Sequence, residues 1–192
     1  RAFCSIIYPW LKEHFAPRLD HVTEDDFYRM INKSEPSLIR TEADELTYCL
    51  HIMVRYELEK RMFDGSLTAH DLPAEWNRLY KEYLGIDVPD DRQGVLQDSH
   101  WANGNIGYFP SYAIGSAYGA QYLLELSKEL DVDAVVRSGD LTPINNWLED
   151  RIWKHGCMKD PVALFESVCG KFDPDCYVAY LEKKFTEVYG LS

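Results

Sequence analysis

Apolar positions recur along this chain with the period of helices. Segments 2–15, 23–33, 38–63, 72–84, 109–129, 131–137, 142–155, 160–168 and 174–189 each gather apolar residues three and four apart, the spacing that builds one helical face. No stretch sustains a period of two, so β structure is limited to at most a short ribbon near 86–101. The punctuation agrees with helices. Thr142-Pro143, Asp160-Pro161 and Asp173-Pro174 each set a capping side chain before a proline, and Thr23-Glu-Asp-Asp26 loads acids into a first turn. No repeat, low-complexity tract or Pro/Gly/Ser linker interrupts the series. The pattern predicts an all-α fold in a single helical domain over 1–192.

Segment 38–63 gives the most readable wheel. Ile39, Ala43, Leu46, Leu50, Met53 and Val54 form one apolar stripe that should face the core. Beside it Arg40, Asp44, Thr47, His51 and Arg55 form a polar line, with Arg40 and Asp44 one turn apart and able to pair. A solvated, salt-bridged helix edge and the polar wall of a cleft both fit that line. After Pro110, Tyr108, Tyr112, Gly115, Gly119 and Tyr122 fall along one row. Each glycine costs a helix about 1 kcal/mol relative to alanine. Gly115 and Gly119 therefore imply a backbone or substrate passing close, or tight helix packing.

The longest irregular stretch runs from Gly85 to about Tyr108, and long loops inside compact domains often carry function. It contains Gly94-Val-Leu-Gln-Asp-Ser-His-Trp101, followed by a Gly-rich turn and the tyrosines flanking Pro110. A carboxylate, an imidazole and an indole thus lie within four positions. His100, with Tyr108 or Tyr112, can present donors to a developing oxyanion. Asp98 can orient His100 or a neighbouring amide, while Gln97 and Trp101 suit loop support. His14, His21, His70 and His155 have no partner at helical ligand spacing, so none is expected to hold a metal.

Composition narrows the field. With 46% hydrophobic and 27% charged residues in 192, the chain is an ordinary soluble globular length with no transmembrane run. A net charge of -12 excludes a phosphate-binding surface and hence nucleic-acid partners. The five cysteines have no Cys-x-x-Cys, which points to reduced thiols and a cytoplasmic setting. Cys157–Cys169 and Cys169–Cys176 are the pairs a bridge could join.

Gly94-x-x-Gln97-Asp98-x-His100-Trp101 resembles a signature of the thermostable (Taq-type) zinc metallocarboxypeptidases. Ile39-Arg40-x-x-Ala43-Asp44 resembles a second signature of that family, in the right order. The resemblance implies a helical peptidase that removes the C-terminal residue of peptides, uses zinc or another divalent metal, and works as a homodimer. The family's metal-binding His-Glu-x-x-His is absent from this sequence, as is its third-ligand motif. The chain is thus expected to be the C-terminal part of such an enzyme, with no metal of its own and inactive alone. Its implied contributions are His100 with Tyr108 or Tyr112 at the oxyanion, and Arg40 at the substrate's terminal carboxylate, with Asp44 and Asp98 in support. The alternative is a non-catalytic all-α interaction or regulatory module derived from such a peptidase.

Overall fold

A computed structural model describes residues 1–191, so the last position of the expected domain lies outside the described residues. Nine α-helices run along them: α1 (Ala2–His14), α2 (Glu24–Ile31), α3 (Tyr48–Phe63), α4 (Leu72–Leu84), α5 (Pro110–Ser127), α6 (Val132–Ser138), α7 (Thr142–Arg151), α8 (Pro161–Cys169) and α9 (Asp175–Tyr189). Short 3-10 turns stand at Arg40–Glu42 and Trp153–His155, and there is no strand among the described residues. The chain divides into two compact units, one of Arg1–Ile31 with the residues from Ser116 onward, the other Asn32–Gly115.

In the first unit Cys4, Tyr28, Phe185 and Val188 form a buried cluster that joins α1, α2 and α9. A second knot is aromatic: Tyr118 stacks on Phe165 at 3.9 Å between centroids, and Phe172 meets Tyr118 edge-on. Buried Gln121 donates to the carbonyls of Cys169 (3.3 Å) and Lys171 (3.0 Å) and accepts from the Asp173 amide (3.0 Å). One amide thereby satisfies the turn between α8 and α9. The caps follow local chemistry. Thr23 and Asp26 bond each other's amides reciprocally, and Asp160 accepts from Val162 and Ala163. Thr142 departs from expectation, since its own amide is held by Asp140 at 3.0 Å and it makes no cap bond. Segment 142–155 also breaks at Arg151, where Ile152 leaves helical geometry and a 3-10 turn begins.

The second unit is organised by α3 against α4. Val54, Leu58, Trp76, Leu79, Tyr80 and Leu84 are buried there, together with Leu67 and Val95 from the connecting loops. Gly85, at φ +73°, ends α4 in the left-handed region that glycine enters without strain. Beyond it, residues 86–101 form consecutive turns in place of a ribbon. The Gly94, Leu96 and Gln97 amides bond back to carbonyls within the same segment, which leaves no ladder to extend.

The predicted helix 38–63 is the largest departure. Helix α3 begins only at Tyr48, because Asp44 captures the backbone ahead of it. Its carboxylate accepts from the amides of Leu46 (2.9 Å), Thr47 (3.0 Å) and Glu35 (3.0 Å) and from the Ser34 and Thr47 hydroxyls. An aspartate that bonds amides two and three residues ahead fixes a turn and competes with helix continuation. The expected stripe is also rotated. Met53 and Leu46 are exposed, while Thr47, His51, Arg55 and Glu59, four apart, are buried. The polar line faces inward.

The loop glycine and the two helix glycines behave in opposite ways. A Cβ at Gly94 would meet Val88 Cγ1 at 2.8 Å and the Asp90 carbonyl oxygen at 3.1 Å, whereas nothing lies within 4 Å of one at Gly115 or Gly119. Among the described residues, then, no protein neighbour packs closely against the helix glycines. Gly94→Ala should lower stability by about 1–3 kcal/mol through overpacking. Gly119→Ala should raise it by up to ~1 kcal/mol through helix propensity. Urea midpoints of the two variants check the signs.

Candidate functional site

The loop 85–109 has no regular structure to hold it, so side chains do that work. Gln97 reaches across to Ile39-Arg40. Its oxygen accepts from the Arg40 amide at 2.9 Å, and its nitrogen donates to the Leu38 carbonyl at 3.0 Å. Asp98 lies between two guanidinium groups. Oδ1 accepts from Arg40 Nε (3.1 Å) and Nη2 (2.8 Å), while Oδ2 accepts from Arg55 Nε (2.7 Å) and lies 2.6 Å from Arg55 Nη2 as an ion pair, that nitrogen donating to Gln97 Oε1 at 2.9 Å. Arg55 is fully buried over the Trp76 ring and also bonds the His51 carbonyl at 2.7 Å. Arg40 reaches the Tyr48 hydroxyl at 3.1 Å and stands over the Tyr112 ring at 5.0 Å. The pairing of Arg40 with Asp44 expected from the wheel does not form: Asp98 is the partner, and Asp44 serves the turn before α3.

These contacts bias the charges. Burial raises the Asp98 carboxyl, but the hydrogen bonds and charges of Arg40 and Arg55 outweigh it, and the net shift is downward. Asp44 is likewise lowered, its burial outweighed by the Ser34, Thr47 and Glu35 bonds. Burial, joined by the positive charges of Arg55 and Arg40, drops the His51 imidazole to about 4. His51 is therefore neutral at pH 7, with Nδ1 3.1 Å from the Tyr80 hydroxyl.

His100 and Tyr112 converge, with Nε2 and Oη 3.0 Å apart. The imidazole is wedged among rings: Phe109 at 4.4 Å, Tyr108 stacked at 5.9 Å and Tyr112 edge-on at 5.9 Å. Nδ1 is buried without a hydrogen bond, 3.8 Å from Asp98 Oδ1. Tyr108 is 49% exposed, so one face of the aromatic group is open to solvent. All six residues singled out from the sequence lie in this unit. Arg40, Asp98, His100, Tyr108 and Tyr112 form one continuous group, and Asp44 stands apart at the turn.

Residues 1–185 match the model of the carboxypeptidase Taq (M32) metallopeptidase family. The chain belongs to that family. It is 41% identical to carboxypeptidase 1 of Bacillus subtilis over 189 residues, which is 97% of this chain and 38% of that protein. With thermostable carboxypeptidase 1 of Thermus thermophilus it shares 42% identity over 191 residues, 98% of this chain and 37% of the relative. Among solved structures it is similar to the M32 carboxypeptidase of Deinococcus radiodurans, with a TM-score of 0.95 and 36% identity over 100% of this chain and 39% of that one. The chain thus spans about two-fifths of the length of the M32 relatives it matches.

Among the described residues no three His, Cys, Asp or Glu side chains gather as a metal site requires, so the divalent metal implied by the M32 family has no fitting donor set here. The two motifs shared with the family hold each other: Gly94 by lack of space, Gln97 and Asp98 by bonds to the segment around Arg40, and Trp101 by its indole N–H to Glu59 at 2.8 Å. Sequence reasoning missed Arg55 as the second arginine on Asp98, and Glu59 altogether. The four-residue spacing from Thr47 through His51 and Arg55 would have reached Glu59 one turn further on.

His51 gives this network a pH signature. Its folded value of about 4 lies below the unfolded value near 6.5, so the unfolded chain binds the proton first. Stability is then complete above about pH 6.5 and falls by about 3 kcal/mol as pH drops to about 4. Asp98 and Asp44, both lowered, lose their contributions at still lower pH. Urea midpoints of the chain between pH 7 and 4.5 should show this slope, and His51→Asn should flatten it.

Proposed function

We propose that this chain is the C-terminal, substrate-facing part of a carboxypeptidase that depends on a divalent metal, zinc in the first instance. Its substrates are peptides with a free C-terminus. Membership of the M32 family supports the reaction class. The observation that carries the role of this chain is the 3.0 Å contact between His100 Nε2 and Tyr112 Oη beside the Arg40–Asp98 pair. The metal-holding residues belong, in this reading, to a part of the working enzyme outside this chain, and the chain alone is inactive.

Peptide hydrolysis passes through a tetrahedral species whose former carbonyl oxygen carries negative charge, and preorganised donors lower that barrier. Asp98 Oδ1, 3.8 Å from Nδ1, favours a proton on that nitrogen. When the ring is protonated at both nitrogens, Nε2–H points at the Tyr112 oxygen and releases the tyrosine's own hydrogen for the oxyanion. His100 and Tyr112 then act as one donor pair, with Tyr108 closing the exposed side of the imidazole.

Arg40 is the cation for the terminal carboxylate. Three of its N–H bonds run to Asp98 and Tyr48, leaving a hydrogen on each terminal nitrogen. At 6% exposure, a link to a carboxylate would be poorly screened by water and correspondingly strong. Asp98 fixes the plane of Arg40, and Asp44 fixes the turn that follows it. All five cysteines are free thiols, which suits a reducing cytoplasm, and no described helix is long and apolar enough to cross a membrane. The homodimer expected from the resemblance is carried into this reading.

In the enzyme containing this chain, His100→Ala should lower kcat about 10²–10³-fold, as loss of an oxyanion donor does. An unchanged kcat removes His100 from the chemistry. Arg40→Ala should weaken hydrolysis of N-blocked dipeptides with free C-termini far more than that of the corresponding C-terminal amides. A structural defect alone would depress both equally, and equal losses overturn the carboxylate assignment.

A further inference from the structure

We infer that Glu59 is a positioning residue, a buried clasp that closes the Trp101–Gly107 loop and thereby sets His100 against the aromatic group. The inference rests on the reading of His100 and Tyr112 as a working donor pair. Glu59 is 4% exposed near the end of α3. Its Oε1 accepts from two groups six residues apart, the Trp101 indole N–H at 2.8 Å and the Gly107 amide at 3.2 Å. These are the first and last residues of the loop. His100 directly precedes it, and Tyr108 and Phe109 directly follow.

The loop between the two bonds is exposed from Ala102 to Gly107, and its own bonds turn inward. Asn103 and Asn105 donate their amides to the His100 carbonyl at 3.2 and 2.9 Å, and Gly104 donates to the Trp101 carbonyl at 3.0 Å. Nothing in that set reaches the segment after Gly107. Glu59 supplies the closure. With both ends on one oxygen, Trp101 packs edge-on against Trp76 and Phe109, and Tyr108 returns to stack on His100. A carboxylate suits the task, because a charged acceptor strengthens both bonds and can hold two donors on one oxygen. Leaving two donors unmatched in a half-buried loop would let the imidazole and the tyrosines drift apart, and displacements near 1 Å can cost about 10²-fold in rate.

The test compares Glu59→Leu, which removes the acceptor, with Glu59→Gln, which keeps an oxygen and drops the charge. Trp101→Phe deletes one donor and leaves Glu59 in place. In the 192-residue chain, nitrogen NMR of the His100 ring and amide exchange at Gly107 are measured for each. Glu59→Leu should speed Gly107 exchange about tenfold or more and shift the His100 Nε2 signal, while Glu59→Gln stays close to the parent. Trp101→Phe should fall between them, and it decides the question if Glu59→Leu does not fold. In the enzyme containing this chain, Glu59→Leu should lower kcat about 10- to 100-fold with little change in KM, and the Gln variant should recover most of the loss. Unaltered His100 ring signals in Glu59→Leu, or in Trp101→Phe if the former is unfolded, overturn the clasp. So does a loss of kcat that only follows the folded fraction. If no variant or parent turns over peptide, the proposed activity fails, and the NMR results still decide the clasp.

Discussion

A single carboxylate between two buried guanidinium groups holds this site together. Asp98 meets Arg40 on one oxygen and Arg55 on the other, and both arginines are almost removed from solvent. Taking one partner from a buried pair leaves an uncompensated charge, at a cost of about 3–5 kcal/mol. Here the loss would be shared by two cations. The trio carries two positive charges and one negative, so it keeps a net positive charge. The difference is absorbed by neutral acceptors and ring faces: the Gln97 oxygen, the Tyr48 hydroxyl, the His51 carbonyl, and the rings of Trp76, Phe109 and Tyr112. In a chain of net charge -12, this is a locally electropositive patch, walled by aromatic side chains. Anions, such as a terminal carboxylate or a developing oxyanion, gain from such a place. The same field keeps Asp98 ionised against its burial, and it adds to the burial that keeps His51 neutral.

Most residues of the two motifs are engaged in holding the loop. Gln97 and Asp98 tie the loop to Leu38, Arg40 and Arg55, Trp101 anchors it to Glu59, and Gly94 lets it turn where a methyl group would collide. In the proposed reading, His100, with the nearby Tyr112, and one edge of Arg40 are the groups that meet a ligand. A loop without helix or strand has no ladder to absorb its backbone polar groups, so its side chains must do so.

The sequence was legible wherever local chemistry decided the outcome. Asp160 and the Thr23–Asp26 pair cap helices where their spacing predicts, and the period of apolar residues places eight of the nine helices to within a few residues. Their all-helical architecture and family were readable from the same row of letters. The misses arose where distant groups competed. Asp44 looked like one more rung of a helical polar line, but its carboxylate reaches Ser34 and the Glu35 amide, and the helix waits until Tyr48. His51 and Arg55 belonged to a polar line that fitted a solvated edge or a cleft wall, and the structure buries both completely. Tyr80 meets His51 Nδ1, and Gln97 and Asp98 meet Arg55, from loops and helices that a wheel cannot see. The spacing of the polar line reaches Glu59, but nothing local tells its role, since its two donors lie more than forty residues away.

His100 is held by packing more than by bonds. Asp98 stands 3.8 Å from Nδ1, beyond a hydrogen bond, and both of its oxygens are already engaged by arginine. It therefore acts on the imidazole through its charge, while Phe109, Tyr108 and Tyr112 fix the plane of the ring. A rigid carboxylate–imidazole bond would fix one tautomer and tie the ring to one proton arrangement. A charge nearby with no bond leaves the proton on Nδ1 favoured; a second proton, taken up from solvent, is what makes Nε2 a donor to the Tyr112 oxygen. In the proposed reading, in which His100 and Tyr112 form a donor pair, such an arrangement suits bonds that strengthen as the oxyanion forms, since interactions gained at that stage alone accelerate the step.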